Sequence, residues 1–240
     1  MPLLSSVEEM LRLGGRELIR EPIFDDHFFF RNIVRSVHTT AQSLLCLVAN
    51  GYGIDALRLT RVMFETTVNA HFLATNPEHI QDFNDYLWIK LHQFNERVER
   101  HGHQLTSSDH TAKIAKVDQR YKEVEENFPR KERWCKVSFA ERATQLKINH
   151  LNEVIYFFGS SLIHNDMWAI QFAMNDSKEI ELGPSPKHLA TALLGAGGIY
   201  ASAVANYLQL TGLDFKHGFE ESFAEYQVVA KGLLNREQGS

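Results

Sequence analysis

Cysteine is scarce in this chain of 240 residues, which has only Cys46 and Cys135. Two cysteines without a CxxC pair are too few for the disulfide framework of a small secreted domain. The first residues, MPLLSSVEEMLRLGGREL, lack the basic start and long apolar stretch of a signal peptide. We therefore expect a soluble protein of the reducing cytoplasm.

Excess positive charge is also missing. The net charge is −5 and the sequence pI is about 6.2. A general nucleic-acid binder normally carries a strongly basic face, which this composition does not favour. Recognition of RNA by a local patch stays open.

The sequence lacks the short motifs of the common catalytic and metal sites. It contains no GxxxxGK[ST], no GxSxG, no HExxH and no glutamate followed three residues later by histidine. These absences argue against a P-loop, an α/β-hydrolase, a zinc protease and a ferritin-like di-iron bundle. We expect no cofactor and no metal.

One long uncharged run tests the expectation of a soluble protein. Residues 189–213 carry no charge and are numerous enough to cross a bilayer. The run nevertheless contains Gly195, Gly197 and Gly198 together with Ser202, Asn206 and Gln209. Small residues of this kind allow close helix packing, so we interpret the run as a core helix and expect no membrane contact.

Apolar residues recur at spacings of three and four along most of the chain, which is the helical period. The sequence predicts an all-α, multi-helix antiparallel bundle, with a possible short β-hairpin near residues 169–182. We expect one domain over residues 1–240, with a core at about 25–210 and a C-terminal helix at about 218–235. Other helices are predicted at about 5–20, 25–50, 55–75 (capped by Asp55), 77–102, 109–127 and 146–165, and from Ser185-Pro186 onward.

A narrow polar stripe runs along the predicted helix 55–75. Arg58, Arg61, Glu65 and Asn69 fall within an arc of about 80°, and apolar residues occupy the rest of the circumference. A helix that is apolar on nearly all sides is expected to be central. Its charges must then pair or line a cavity, because an unpaired buried charge costs several kcal/mol. Arg61 and Glu65 are four residues apart and can pair with each other.

Two other predicted helices carry polar stripes that could face the first. One stripe contains Tyr156, Ser160 and His164, preceded by Asn149, Asn152 and Glu153, and the other contains Arg31, Arg35, His38 and Gln42. Three facing stripes would enclose one site suited to anion binding and proton transfer. The catalytic candidates are Arg61, Glu65 and His164, with Arg31 and His38 as weaker ones, and the ligand-binding candidates are Arg58, Asn69, Tyr156 and Ser160.

The stripes also resemble a family pattern. Ala56, Leu59, Arg61 and Glu65 match the Ala-x-x-Leu-x-Arg-x-x-x-Glu signature of a prokaryotic helical family of unknown function, family 5677. Tyr156, Ser160 and His164 resemble a later signature of the same family, which consists of a tyrosine, a serine and a histidine. The resemblance covers about residues 30–170 and implies an all-α fold, without implying a function.

A second resemblance is to the HEPN superfamily of helical nucleases. Their motif is an arginine, a polar residue and then a histidine, as in Arg31, Asn32 and His38. The resemblance implies a homodimeric, metal-independent ribonuclease of stress or phage defence, although the motif lies earlier here than in that superfamily. The alternatives are a non-catalytic protein that binds a small anionic ligand or a partner, and an assembly protein whose stripes are internal ion pairs.

Overall fold

The computed structural model describes residues 2–20, 28–101, 108–129, 133–148, 155–164, 170–171, 174, 178, 184, 187–212 and 218–238. These residues are predominantly helical and include no β-strand beyond single bridge positions at Tyr52 and Met174, which confirms the all-α prediction. The α-helices are α1 (Pro2–Arg20), α2 (Phe28–Ala49), α3 (Gly53–Thr75), α4 (Ile80–Arg100), α5 (Ser108–Val124), α6 (Phe139–Gln145), α7 (Phe157–His164), α8 (Leu189–Thr211) and α9 (Phe219–Gln238).

The start of α3 differs from the sequence prediction. The helix begins at Gly53, so Asp55 lies inside its first turn and pairs with Arg58 instead of capping the helix. A Cβ atom on Gly53 would lie 2.0 Å from the carbonyl oxygen of Lys187, so this position must lack a side chain. Helix α3 ends at Thr75, directly before Asn76-Pro77, as expected.

The predicted helix at 146–165 is shorter in the structure. Residues 146–148 form a turn in which Lys147 has a left-handed φ of 58°, and α7 begins at Phe157 after a π-helical turn. Residues 149–154, with the predicted Asn149, Asn152 and Glu153, lie outside the described residues. In the predicted hairpin, residues 170–171 are helical, and most of the remaining segment lies outside the described residues.

Contacts between Cα atoms divide the chain into two compact units. The first unit comprises Met1–Phe72 and Arg142–Ser240, and the second comprises Leu73–Glu141. The expected single domain stays a prediction, and each unit is described by itself below.

In the first unit, α1 packs on α2, α8 and α9, and α8 packs on α2. The buried residues of this unit include Leu3, Val7 and Met10 of α1, which precede the predicted core at about 25–210. Helix α3 is buried on most of its circumference, as the apolar pattern predicted.

Helix α8 is long and apolar enough to cross a membrane, and half of its most apolar window is buried inside the protein. Its glycines serve close packing. A Cβ on Gly195 would lie 2.7 Å from the Thr60 methyl group, and one on Gly197 would lie 2.3 Å from the Tyr226 ring. The two glycines therefore allow α8 to pack closely against α3 and α9.

In the second unit, α4 packs against α5. Ile89 is fully buried between them, in a cluster with Tyr121, Val124 and Phe128. The ring of Trp134 stands edge-on to Phe83, with 5.0 Å between the ring centroids. Trp134 is likewise buried.

Partly buried histidines make the stability of the protein depend on pH. Burial holds the pKa of His38, His71 and His188 below its usual value; the Ser202 carbonyl opposes this shift at His71, and Lys187 adds to it at His188. Below about pH 6.5 the unfolded chain takes up protons that these folded sites resist. Their stabilising contribution is therefore complete above that pH and is lost as the pH falls towards the folded pKa values.

We expect the urea midpoint of unfolding to be lower at about pH 5.5 than at about pH 7.5. The variant His38→Gln removes one of the three groups and should reduce this difference. A midpoint that is unchanged or higher in acid would contradict the prediction.

Candidate functional site

Arg58 connects α3 to the end of α7. Its Nη1 atom pairs with Asp55, and its Nε atom donates a hydrogen bond of 3.0 Å to the carbonyl oxygen of Leu162. That carbonyl lies in the last turn of α7, where carbonyl groups lack partners within the helix. Arg58 therefore caps the negative end of α7 and fixes this helix to α3.

Arg61, one turn further along α3, is held on two sides. Its Nε atom donates to Oε1 of Glu65 over 2.7 Å, and its guanidinium carbon lies 4.5 Å from the centroid of the Tyr156 ring. The Arg61 side chain is only 12% exposed, whereas that of Glu65 is 38% exposed. The cation–π contact and the charge-assisted hydrogen bond together fix the orientation of the guanidinium.

Gly159 explains how α7 can lie so close to Arg61. A Cβ atom at this position would lie 2.6 Å from the Cβ atom of Arg61, far inside van der Waals contact. The backbone of α7 therefore packs directly against the aliphatic part of the Arg61 side chain. Sequence reasoning missed Gly159, although a glycine within a helical apolar pattern is a signal for close packing. We call the contact formed by Arg58, Arg61, Glu65, Tyr156 and Gly159 the α3–α7 seam.

The remaining candidates of the two stripes lie near the seam without joining its hydrogen bonds. Ser160 is half-buried, and His164 is exposed at the end of α7. Within the described part of the chain, neither bonds to an arginine. Asn69 lies two turns beyond Arg61 on α3, and its Oδ1 atom is buried without a hydrogen-bond partner among the described residues.

The contacts described for the α2 stripe are with α1 and α8, and the site predicted between three helices stays a prediction. Arg35 donates a 2.8 Å hydrogen bond to the Leu18 carbonyl of α1, and His38 Nδ1 lies 3.0 Å from the Tyr200 hydroxyl of α8. Arg31 is only 3% exposed. Gln42, the last residue of the stripe, is exposed.

The reason for this placement is a pair of glycines on α1. A Cβ on Gly14 would lie 2.3 Å from the Tyr200 hydroxyl, and one on Gly15 would lie 2.7 Å from the His38 ring. The absent side chains leave space that Tyr200 and His38 fill. His38 therefore packs towards α1 and α8, and it does not share an exposed groove with Arg31, which is buried.

No cluster of three or more histidine, cysteine, aspartate or glutamate side chains that could hold a metal ion occurs among the described residues. The described chemistry of the seam is that of arginine, carboxylate and phenol groups. Such a site can bind an anion and orient it.

The fold and seam define an all-α protein in which two polar stripes meet between helices. The model of the Family of unknown function (DUF5677) matches residues 27–181, and the chain belongs to this family. The match spans both α3 and α7 and confirms the resemblance based on Arg61 and Glu65. The HEPN resemblance has no such support and stays a hypothesis. No curated protein and no solved structure matches the chain.

Proposed function

We propose that this protein binds a small anionic ligand at the α3–α7 seam, with Arg61 as the main anchor. The observation that carries the proposal is the way Arg61 is held, by Glu65 at Nε and by the Tyr156 ring on one face. Among the described residues the ion pair uses only the Nε atom. The two Nη atoms remain for a bidentate contact with a carboxylate or a phosphate.

The fixed guanidinium lowers the cost of binding. A free arginine side chain loses about 0.5–1.5 kcal/mol of conformational entropy when a ligand orders it. At the seam, Glu65 and Tyr156 have already ordered Arg61 in the absence of a ligand. Arg58 adds a second positive charge one turn away, although Asp55 and the Leu162 carbonyl offset part of it.

A ribonuclease is the second candidate, because the HEPN resemblance implies one. That mechanism needs Arg31 and His38 to reach the same phosphodiester. The burial of Arg31 and the position of His38 beside Tyr200 favour the binding protein instead. Incubation with RNA in EDTA separates the two functions. Cleavage that disappears in His38→Ala or His164→Ala would favour the nuclease, and no cleavage is expected for the binding protein.

The binding proposal predicts that Arg61→Gln weakens anion binding by about tenfold or more, corresponding to about 1.4 kcal/mol. Arg61→Lys should lose much of the affinity too, because lysine keeps the charge but lacks the planar fork. Calorimetric titration with inorganic phosphate, acetate and nucleotides measures the affinity. Untargeted mass spectrometry of the purified protein identifies any ligand that is retained.

Arg120→Gln is the matched control, because Arg120 also pairs with a glutamate in the next turn but lies in the second unit. The Arg120→Gln variant should bind each anion with the same affinity as the unmodified protein. Two results would contradict the binding proposal. One is an Arg61→Gln variant that binds as tightly as the unmodified protein, and the other is a purified protein with no retained ligand and no heat of binding for any probe. Either result would mean that the seam only fixes the packing of α7 on α3.

Location and assembly complete the proposal. We place the protein in the cytoplasm, which the free thiols of Cys46 and Cys135 support. The homodimer expected from the sequence stays a prediction that sedimentation analysis can test.

A further inference from the structure

The second unit contains a cavity that is unrelated to the α3–α7 seam. Its volume is about 430 Å³, within the usual size range of sites for small molecules. It is lined by His79 at the end of a 3₁₀ helix, by Asp82 at the start of α4, and by the segments around Phe128 and Trp134. Separate parts of the second unit therefore contribute to one concave surface.

The lining contains two aromatic residues that are largely buried. Phe128 and Trp134 are 4% and 8% exposed, so most of each ring is fixed in the core of the second unit. Trp134 stands edge-on to Phe83, and Phe128 packs against Tyr86 at 5.6 Å between centroids. The small exposed part of each ring is therefore held in place and can contact the apolar group of a ligand.

The lining also contains polar residues, and those that the structure describes include two permanent cations and one carboxylate, Asp82. Arg133 and Lys136 are the cations, and His79 Nδ1 lies 3.4 Å from Oδ2 of Asp82. Lys136 is exposed and has no ion-pair partner among the described residues. Glu141 does not line the cavity, and its pKa is lowered mainly by hydrogen bonds from Ser138. The positive charge of Arg133 makes a smaller contribution to this lowering.

We propose that this cavity binds a small organic anion that carries a flat apolar group. The apolar group would lie against Trp134 and Phe128, and the carboxylate or phosphate would face Lys136 and Arg133. An inorganic anion would not contact the aromatic residues, and a neutral ring would not pair with Lys136. Affinity should therefore require both halves of the ligand.

Phenyl phosphate and benzoate are suitable probes, with phenol and inorganic phosphate as their separate halves. Binding is followed through the indole N–H resonance of Trp134 in protein labelled with ¹⁵N-tryptophan, and a Trp134→Phe spectrum assigns that resonance. We expect a saturable shift with phenyl phosphate or benzoate, and an affinity about tenfold or more weaker for phenol and for phosphate.

Lys136→Gln should weaken binding of the aromatic anion by about tenfold. Lys122→Gln removes an exposed lysine of α5 that does not line the cavity, and should leave binding unchanged. Arg61→Gln should leave the Trp134 shift unchanged as well, which separates this cavity from the seam. No Trp134 shift with either aromatic anion, equal binding of phosphate alone, or full binding by Lys136→Gln would overturn the proposal.

Discussion

Replacing Gly159 by alanine should lower the free energy of unfolding by about 1–3 kcal/mol, the usual cost of overpacking a core. The new Cβ atom would lie 2.6 Å from Arg61 Cβ and 3.2 Å from Arg61 Cδ. Arg61 Cβ is attached directly to the α3 backbone, so it cannot move aside as a side-chain end would. Helix propensity alone would favour alanine by up to about 1 kcal/mol. A loss of stability in Gly159→Ala would therefore indicate that α7 contacts α3 at this position.

Gly232→Ala is the control for this substitution. Gly232 lies within α9, is exposed, and has no atom within 4 Å of an added Cβ. Alanine there should stabilise the protein by up to about 1 kcal/mol through helix propensity. Urea unfolding of both variants measures the difference. If Gly159→Ala stabilises the protein as much as Gly232→Ala does, α7 does not rest on Arg61.

Replacing Tyr200 by alanine should cost about 3–5 kcal/mol of stability, the usual loss for a large buried aromatic side chain. Tyr200 is fully buried, and burial raises the pKa of its phenol well above the usual value, so the group stays neutral. Tyr200→Phe keeps the ring and removes only the contact with His38 Nδ1, which should cost about 1–2 kcal/mol. Thermal or urea unfolding measures both losses.

A double-mutant cycle tests the placement of the Tyr200 hydroxyl more sharply. An added Cβ on Gly14 would lie 2.3 Å from that hydroxyl oxygen but 3.1 Å from the ring carbon Cζ. Gly14→Ala should therefore destabilise the unmodified protein more than it destabilises Tyr200→Phe. We expect a coupling of about 0.5–3 kcal/mol, the range measured for residues in contact. If Gly14→Ala destabilises the unmodified protein and Tyr200→Phe by the same amount, this packing between α1 and α8 is contradicted.

The helical period predicted much of this fold from sequence. It identified a buried α3 with Arg58, Arg61 and Glu65 on one stripe, and it placed Tyr156 on a second stripe. The pairing of Arg61 with Glu65 followed from their spacing of four residues. These features depend on residues that are close in sequence, so local geometry determines them.

The partners of each helix face were harder to predict, because periodicity defines a face without saying what covers it. For example, the glycine pair on α1 decides where His38 packs, and the helical period of α2 does not show this. The cavity of the second unit combines residues from His79 to Lys136 across several turns. No single segment of sequence carries the pattern of such a site.

Anion binding at Arg61 is tested most directly through the Nε–H resonance of its own side chain. In protein labelled with ¹⁵N-arginine, this resonance can be followed while inorganic phosphate or acetate is added, with Arg120 as the internal reference. Because Arg61 is fixed between Glu65 and Tyr156, we expect a saturable shift at Arg61 and none at Arg120. An Arg61 resonance that does not move, or that moves only in step with Arg120, would contradict a binding site at the α3–α7 seam.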